Sequence, residues 1–207
     1  MKKLITLMFS VLFLASTAQA AGLMGVKVGV GEIDAENDAY TAGGTSYASV
    51  SASKDSQFAA IFAEVNVDAV DGLSIGAEFI PLSADVSLDN ANASTSAEVS
   101  NYKTIYALIS RDLGDVSGFL KVGYSHADVG TITSKSTIVS QDDAIQGPMI
   151  GVGFQREVAS GIVGRLEATY TALDDVSATT TSNGSSSVKK TGSGDITTIG
   201  IAIAKSF

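Results

Sequence analysis

No cysteine and no tryptophan occur in the 207 residues, and proline occurs only twice. Without cysteine the chain forms neither disulfides nor thiolate metal sites, so an exported fold built from it must hold without covalent staples. Basic residues are also few, 13 against 22 acidic ones, for a net charge of −9. Phosphate would be repelled by such a surface, which argues against nucleic acid as a partner. Beyond Ala15 no apolar run approaches the roughly 17–25 residues of a membrane-spanning helix, and apolar stripes of helical period are missing. What remains is rich in Gly, Ala, Ser and Thr, an all-β composition.

The two ends carry the clearest signals. Lys2 and Lys3 precede an apolar run from Leu4 to Ala15 and then Ala18-Gln19-Ala20. A basic start, an apolar stretch of about a dozen residues and an A-x-A site define a secretory signal peptide. Residues 1–20 are therefore expected to be cleaved after export through the Sec pathway, leaving 21–207 as one domain. Loss of Lys2 and Lys3 takes the net charge from −9 to −11. At the other end Ile199, Ile201, Ile203 and Phe207 share one parity, while Thr198, Gly200, Ala202, Ala204 and Ser206 share the other. A period of two with bulky apolar residues on one side is a strand with one greasy face.

Seven more segments alternate in the same way, at about 22–33, 57–67, 73–83, 101–111, 118–128, 148–158 and 162–173. Each is close to the roughly 9–11 residues of a tilted strand that crosses a bilayer. In the second, Ala59, Ile61, Ala63 and Val65 oppose Phe58, Ala60, Phe62 and Glu64. The fourth is ambiguous, because Tyr102, Tyr106 and Leu108 oppose an equally apolar Ile105, Ala107 and Ile109. Short links (68–72, 112–117 and 159–161) alternate with polar links of roughly 15–23 residues, the rhythm of an outer-membrane barrel with turns in the periplasm and loops outside. Gly43-Gly44 and Asn183-Gly184 suit two-residue hairpin turns inside two of the long links; plain polar loop is the other reading.

Only helices and closed barrels satisfy all backbone polar groups in lipid, so one-faced strands imply closure. The expected fold is an all-β, eight-stranded antiparallel up-and-down transmembrane β-barrel. Parity turns Lys27, Glu64, Glu78, Lys103, Lys121, Glu157, Arg165 and Glu167 inward, four cations and four anions that neutralise one another. Facing lipid at mid-depth, each Lys or Arg would cost about 2–4 kcal/mol. Arg156 and Lys205 have the lipid parity but lie near strand ends, and Tyr102, Tyr124 and Tyr170 are placed for an aromatic girdle. The inward charges have two readings: a plug that rigidifies the barrel, or a narrow conducting path favoured by small inward residues such as Gly29, Gly76, Gly123, Gly153 and Gly200.

The leader, the strand rhythm and the terminal Phe207 together resemble the small eight-stranded outer-membrane proteins: the OmpA transmembrane domain, the OmpX group and the opacity-type surface proteins. The resemblance covers the mature chain and implies an outer-membrane location. It implies outer-membrane lipid and lipopolysaccharide as surroundings, and barrel-assembly machinery and periplasmic chaperones as partners in biogenesis. Ile199, Ile201, Ile203 and Phe207 would act as the C-terminal assembly signal. Members serve as surface-structure proteins, adhesins, small pores or lipid-modifying enzymes, and fold alone does not choose among them.

Chemistry is sparse. The single histidine, His126, stands next to Ser125 and two residues from Asp128. This reproduces neither the His–Ser pair of the lipid A deacylases nor the Asp–His pair of the omptin proteases, so no catalytic residue is assigned. Asp34, Glu36 and Asp38, Asp142-Asp143 and Asp174-Asp175 offer hard oxygen ligands, but none has the spacing of a calcium loop, and they read as solvating charge. Gly25 to Gly31 precedes no helix that would hold a phosphate, so no cofactor is expected. The resulting expectation is a non-enzymatic barrel with four long polar loops that meet an extracellular ligand; a small porin is the alternative and an outer-membrane enzyme the more distant one.

Overall fold

A computed structural model describes residues 21–42, 44–81, 83–89, 94–130, 133–134, 137–181 and 188–207. The expected leader at 1–20 and the Asn183-Gly184 turn lie outside the described residues. Eight long strands form the wall: β1 Gly22–Asn37, β2 Val50–Asn66, β3 Leu73–Ile80, β4 Ser94–Asp112, β5 Ser117–Val129, β6 Ala144–Ala159, β7 Ile162–Thr181 and β8 Val188–Ser206. Each pairs antiparallel with the next in sequence. β8 then returns to β1, in register from Leu23↔Ser206 to Asn37↔Gly192, so the sheet closes on itself.

The parity reading explains which side chains face where. Val26, Val28, Ile61, Ile75, Ile105, Leu120, Val122, Ile150, Val152, Phe154, Leu166, Ile199, Ile201 and Ile203 lie on the outside, half or more exposed, and form a belt around the barrel. An apolar surface of that extent is stable only against lipid. β4 resolves its ambiguity: Thr104, Tyr106 and Leu108 are buried in the lumen, and Ile105 and Ile109 join the belt. The three short turns each hold a glycine with positive φ, Gly72 at 76°, Gly114 at 97° and Gly161 at 68°, where a side chain would be strained.

Two of the long links follow the hairpin reading and not that of plain polar loop. β7 runs to Thr181 and β8 starts at Val188, so only 182–187 separates them. β1 and β2 continue to Asn37 and from Val50, and Tyr40–Ala42 pairs with Thr45–Tyr47, with Gly44 at φ 80°; Gly43 of the anticipated turn lies outside the described residues. Polarity alone does not make a loop here. Above the apolar belt polar residues occupy both parities of the strands, so apolar alternation vanishes while backbone pairing continues. At about 3.3 Å per residue and a tilt near 40°, the 20 residues of β7 span about 50 Å. That is twice the apolar band of about 25 Å. The third strand ends earlier than expected, at Ile80, because Pro81 has no N–H for the ladder; a separate strand, Ala84–Asp89, follows and pairs with β4.

Candidate functional site

The lumen is filled. Lys27 on β1, Glu78 on β3, Lys121 on β5 and Glu167 on β7 come from every second strand and alternate in sign around the barrel axis. Lys27 Nζ lies 2.6 Å from Glu78 and 2.9 Å from Glu167. Lys121 Nζ lies 3.2 Å from Glu78 and 3.1 Å from Glu167. Each carboxylate therefore bridges both ammonium groups, and the ring crosses the whole lumen. Lys121 is 1% exposed. Nearer the short turns, Arg165 donates to both oxygens of Glu64 at 2.6 and 2.8 Å, with further bonds to Gln155 Oε1. Tyr106 donates to the same Glu64 at 2.8 Å.

Aromatic rings fill the space between these layers. Lys121 Nζ sits 3.8 Å from the Tyr106 centroid, and the Arg165 guanidinium lies between Phe62 and Phe119 at 5.1 and 4.9 Å. The inward glycines make room for the rings. Gly25 faces Phe62, Gly29 faces Phe58, Gly76 faces Tyr106 and Gly153 faces Phe119 in direct cross-strand register. A Cβ at Gly76 would fall 2.6 Å from the Tyr106 ring, and one at Gly153 would fall 2.3 Å from Phe119. Small inward residues thus do not widen a pore, because the neighbouring strand's ring or alkyl chain lies over them. Among the described residues every buried side-chain nitrogen and oxygen has a hydrogen-bond partner.

Six of the eight expected inward charges lie in this network: Lys27, Glu64, Glu78, Lys121, Arg165 and Glu167. Lys103 and Glu157 do not, and the expectation for both is corrected. Lys103 shares the outward parity of Ile105 and lies 4.0 Å from Asp128, beside a break in register between Ser100 and Lys103 where Asn101 has φ 53°. Glu157 is exposed at the turn end, where it accepts a hydrogen bond from the Gly161 amide at 2.8 Å. The lumen therefore holds three cations and three anions among its buried charges. Tyr102 is a further correction: it leaves the girdle for the lumen, its hydroxyl 2.8 Å from Ser125 Oγ and 2.7 Å from Thr171 Oγ1. Tyr106 and Gln155, which complete the Arg165–Glu64 layer, were not anticipated; the signal for Tyr106 is its register opposite Gly76, which needs the strand pairing to be known.

At the outer end the chemistry is thin. His126 Nε2 lies 3.4 Å from Asp128, but on the outside of the wall. Ser125 is fully buried on the inside, bonded to Tyr102 and Thr104. The wall separates hydroxyl from imidazole, so they form no nucleophile–base pair. Among the described residues no three His, Cys, Asp or Glu are grouped to hold a metal ion. A shallow open cavity of about 330 Å³ is lined by Asp34, Glu36, Ser51, Ser53, Ser193 and Asp195 among others. Burial, then the neighbouring Asp34 and Glu32, raise the Asp195 carboxyl above its usual range.

A closed wall, an outward apolar belt and a polar, self-neutralised interior define an integral β-barrel protein of the outer membrane. The chain belongs to the family described as outer membrane protein beta-barrel domain, whose model matches residues 4–192. Its structure is similar to that of outer membrane protein OprG from Pseudomonas aeruginosa, with TM-score 0.61 and 12% identity over 89% of this chain and 96% of that one. It is also similar to outer membrane protein AlkL in lipid bilayers, with TM-score 0.59 and 11% identity over 91% and 90% of the two chains. The outer membrane protease OmpT from Escherichia coli resembles it more loosely, at TM-score 0.47 and 13% identity over 90% and 97%. No curated protein matches it in sequence. Identities this low speak for the shared fold and not for a shared activity.

Proposed function

We propose that this protein is a closed, non-conducting outer-membrane barrel that acts through its outer rim, as a structural and surface-interaction protein with no enzymatic activity. The observation that carries this reading is the Lys27–Glu78–Lys121–Glu167 ring, which bars the lumen from wall to wall. Passage of an ion would require parting buried, fully paired charges, and truncating one partner of such a pair costs about 3–5 kcal/mol. The longest strand, β7, meanwhile spans about twice the apolar band, and Tyr40 and Tyr47 stack at 4.8 Å on a hairpin beyond β1. In this reading lipopolysaccharide surrounds the belt, assembly machinery and chaperones handle the chain during export, and the outer partner meets the rim.

Planar-bilayer recording of the detergent-refolded mature protein tests this. A silent bilayer is expected, with insertion of folded protein confirmed by heat-dependent gel mobility. Stable openings whose ion selectivity changes on neutralising Glu64, Glu78 or Lys121 would replace this reading with that of a small pore.

A further inference from the structure

The wall closes around the apolar belt, and above it one ladder is interrupted. The β2–β3 ladder runs from Asn66↔Ser74 to Ile61↔Phe79 and stops there. Pro81 then removes a donor, and the strand that follows, Ala84–Asp89, pairs with β4 alone. That strand comes near both β2 and β1 without taking the ladder position beside β2. From Val50 to Ala60, β2 pairs with β1 at every residue, and on its other edge with no strand among the described residues.

Donor alternation shows which groups are open. The Asn66 amide donates to Ala21, on the β1 side, and the Val67 amide donates to Leu73, on the β3 side. The β1–β2 register has no bulge, so stepping by two points the amides of Gln57, Asp55, Ser53 and Ser51 at the open edge. The Gln57 carbonyl accepts from the Ser56 hydroxyl at 3.3 Å; the amides of the row face no strand among the described residues, and such an open row is a template for another strand.

Charge states what kind of strand. On the outer face, Asp55 stands opposite Glu32, Ser53 opposite Asp34 and Ser51 opposite Glu36, and Asp34 in turn faces Asp195. No Lys or Arg shares the outward parity of this strip. Like charges directly across a ladder are destabilising, as in the Asp55–Glu32 and Asp34–Asp195 pairs; the Ser53 hydroxyl donates to Glu32, which leaves the strip acidic but without a cation.

We propose that the open edge of β2, from Ser51 to Gln57, takes up an extended polypeptide by strand addition, and that this partner carries Lys or Arg at alternate positions. Backbone pairing holds the strand, and its outward basic side chains neutralise Asp55 and the acids of β1 beyond it. The proposal rests on the surface-interaction reading and names its partner.

The test uses the full mature protein in lipid nanodiscs and a short fluorescent peptide of alternating Lys and Thr, followed by anisotropy at physiological salt. Saturable binding is expected, with affinity falling about tenfold or more when alternate peptide amides are N-methylated at unchanged charge. Ser53→Pro, which removes an open donor outside the β1 ladder, should weaken binding similarly, and Asp55→Asn should lower its salt dependence. The N-methyl comparison needs no variant, so it decides even where Ser53→Pro fails to fold. Equal binding of both peptides, or no binding, overturns strand addition. A silent bilayer from the same preparation would then leave the plugged surface barrel standing, whereas conduction would overturn that reading itself.

Discussion

Lys121 is a charged side chain that only its neighbours make tolerable. Its ammonium is shared between Glu78 and Glu167, with the Tyr106 ring beneath it. Lys121→Met leaves two buried carboxylates to Lys27 alone, and the expected loss is about 3–5 kcal/mol in the urea-unfolding free energy of vesicle-inserted protein. Glu157→Gln, at an exposed turn, should stay within about 0.5 kcal/mol on the same assay. These two residues also show what parity reveals in a sequence. It assigns a face, but it says nothing of depth, so Glu157 has the parity of the lumen charges although its level is the rim of the turns. Lys103 failed for a different reason: the apolar residues of β4 lie on both faces, and the register break after Ser100 cannot be read from composition. Asp195 belongs to this scale too. Its carboxyl titrates higher in the folded protein than in the unfolded chain. The stability this contributes is present below the unfolded-state value and is lost as pH rises through the folded-state one. Unfolding midpoints compared between acidic and neutral pH should therefore change less in Asp195→Asn than in the parent, and the variant should be the more stable at neutral pH.

Between strands the governing unit is the glycine–aromatic pair. Gly76 under Tyr106 lets the ring lie flat along the wall, which brings its hydroxyl to Glu64 and its face to Lys121. Gly76→Ala puts a carbon into the ring's position, so the ring must move and the hydrogen bond to Glu64 stretches. Overpacking of this kind costs about 1–3 kcal/mol. A lowered unfolding midpoint together with changed tyrosine fluorescence would bear this out, and an unchanged midpoint would refute it. The alternating small residues of β1, β3, β6 and β8 are visible in the sequence, where they favour the alternative of a narrow conducting path over the plug. Register decides the matter, and register is set by turn lengths and long-range pairing that composition does not record. Strand ends were hidden for a related reason. Segments such as Asp174 to Thr181 and Val188 to Asp195 look like loops because their residues are polar on both parities, so no apolar alternation marks the strand.

For the whole molecule, location and architecture follow from the belt and the closed ladder, and both were legible from alternation plus the short-link, long-link rhythm. The charge network was legible only in part: the charges could be assigned inward, but their pairing across the lumen requires the three-dimensional arrangement of alternate strands. A non-conducting barrel predicts that neutralising a single ring residue destabilises the protein before it opens a path. Bilayer recordings of Lys121→Met should accordingly show rare, unstable events and no uniform conducting state.

The seam between β1 and β8 has a consequence in time. Leu23 meets Ser206 and Asn37 meets Gly192, so the two strands that close the barrel lie at opposite ends of the described chain. Loop-closure entropy must be met before those contacts form. Until β8 arrives, β1 and every later strand in turn expose an edge and a face of Val, Ile and Leu to water, the conditions for aggregation. Of all the ladders in the barrel this one closes the longest loop and so carries the largest loop-closure cost, and keeping the nearly complete chain apart from its own copies guards the edges that are open until then.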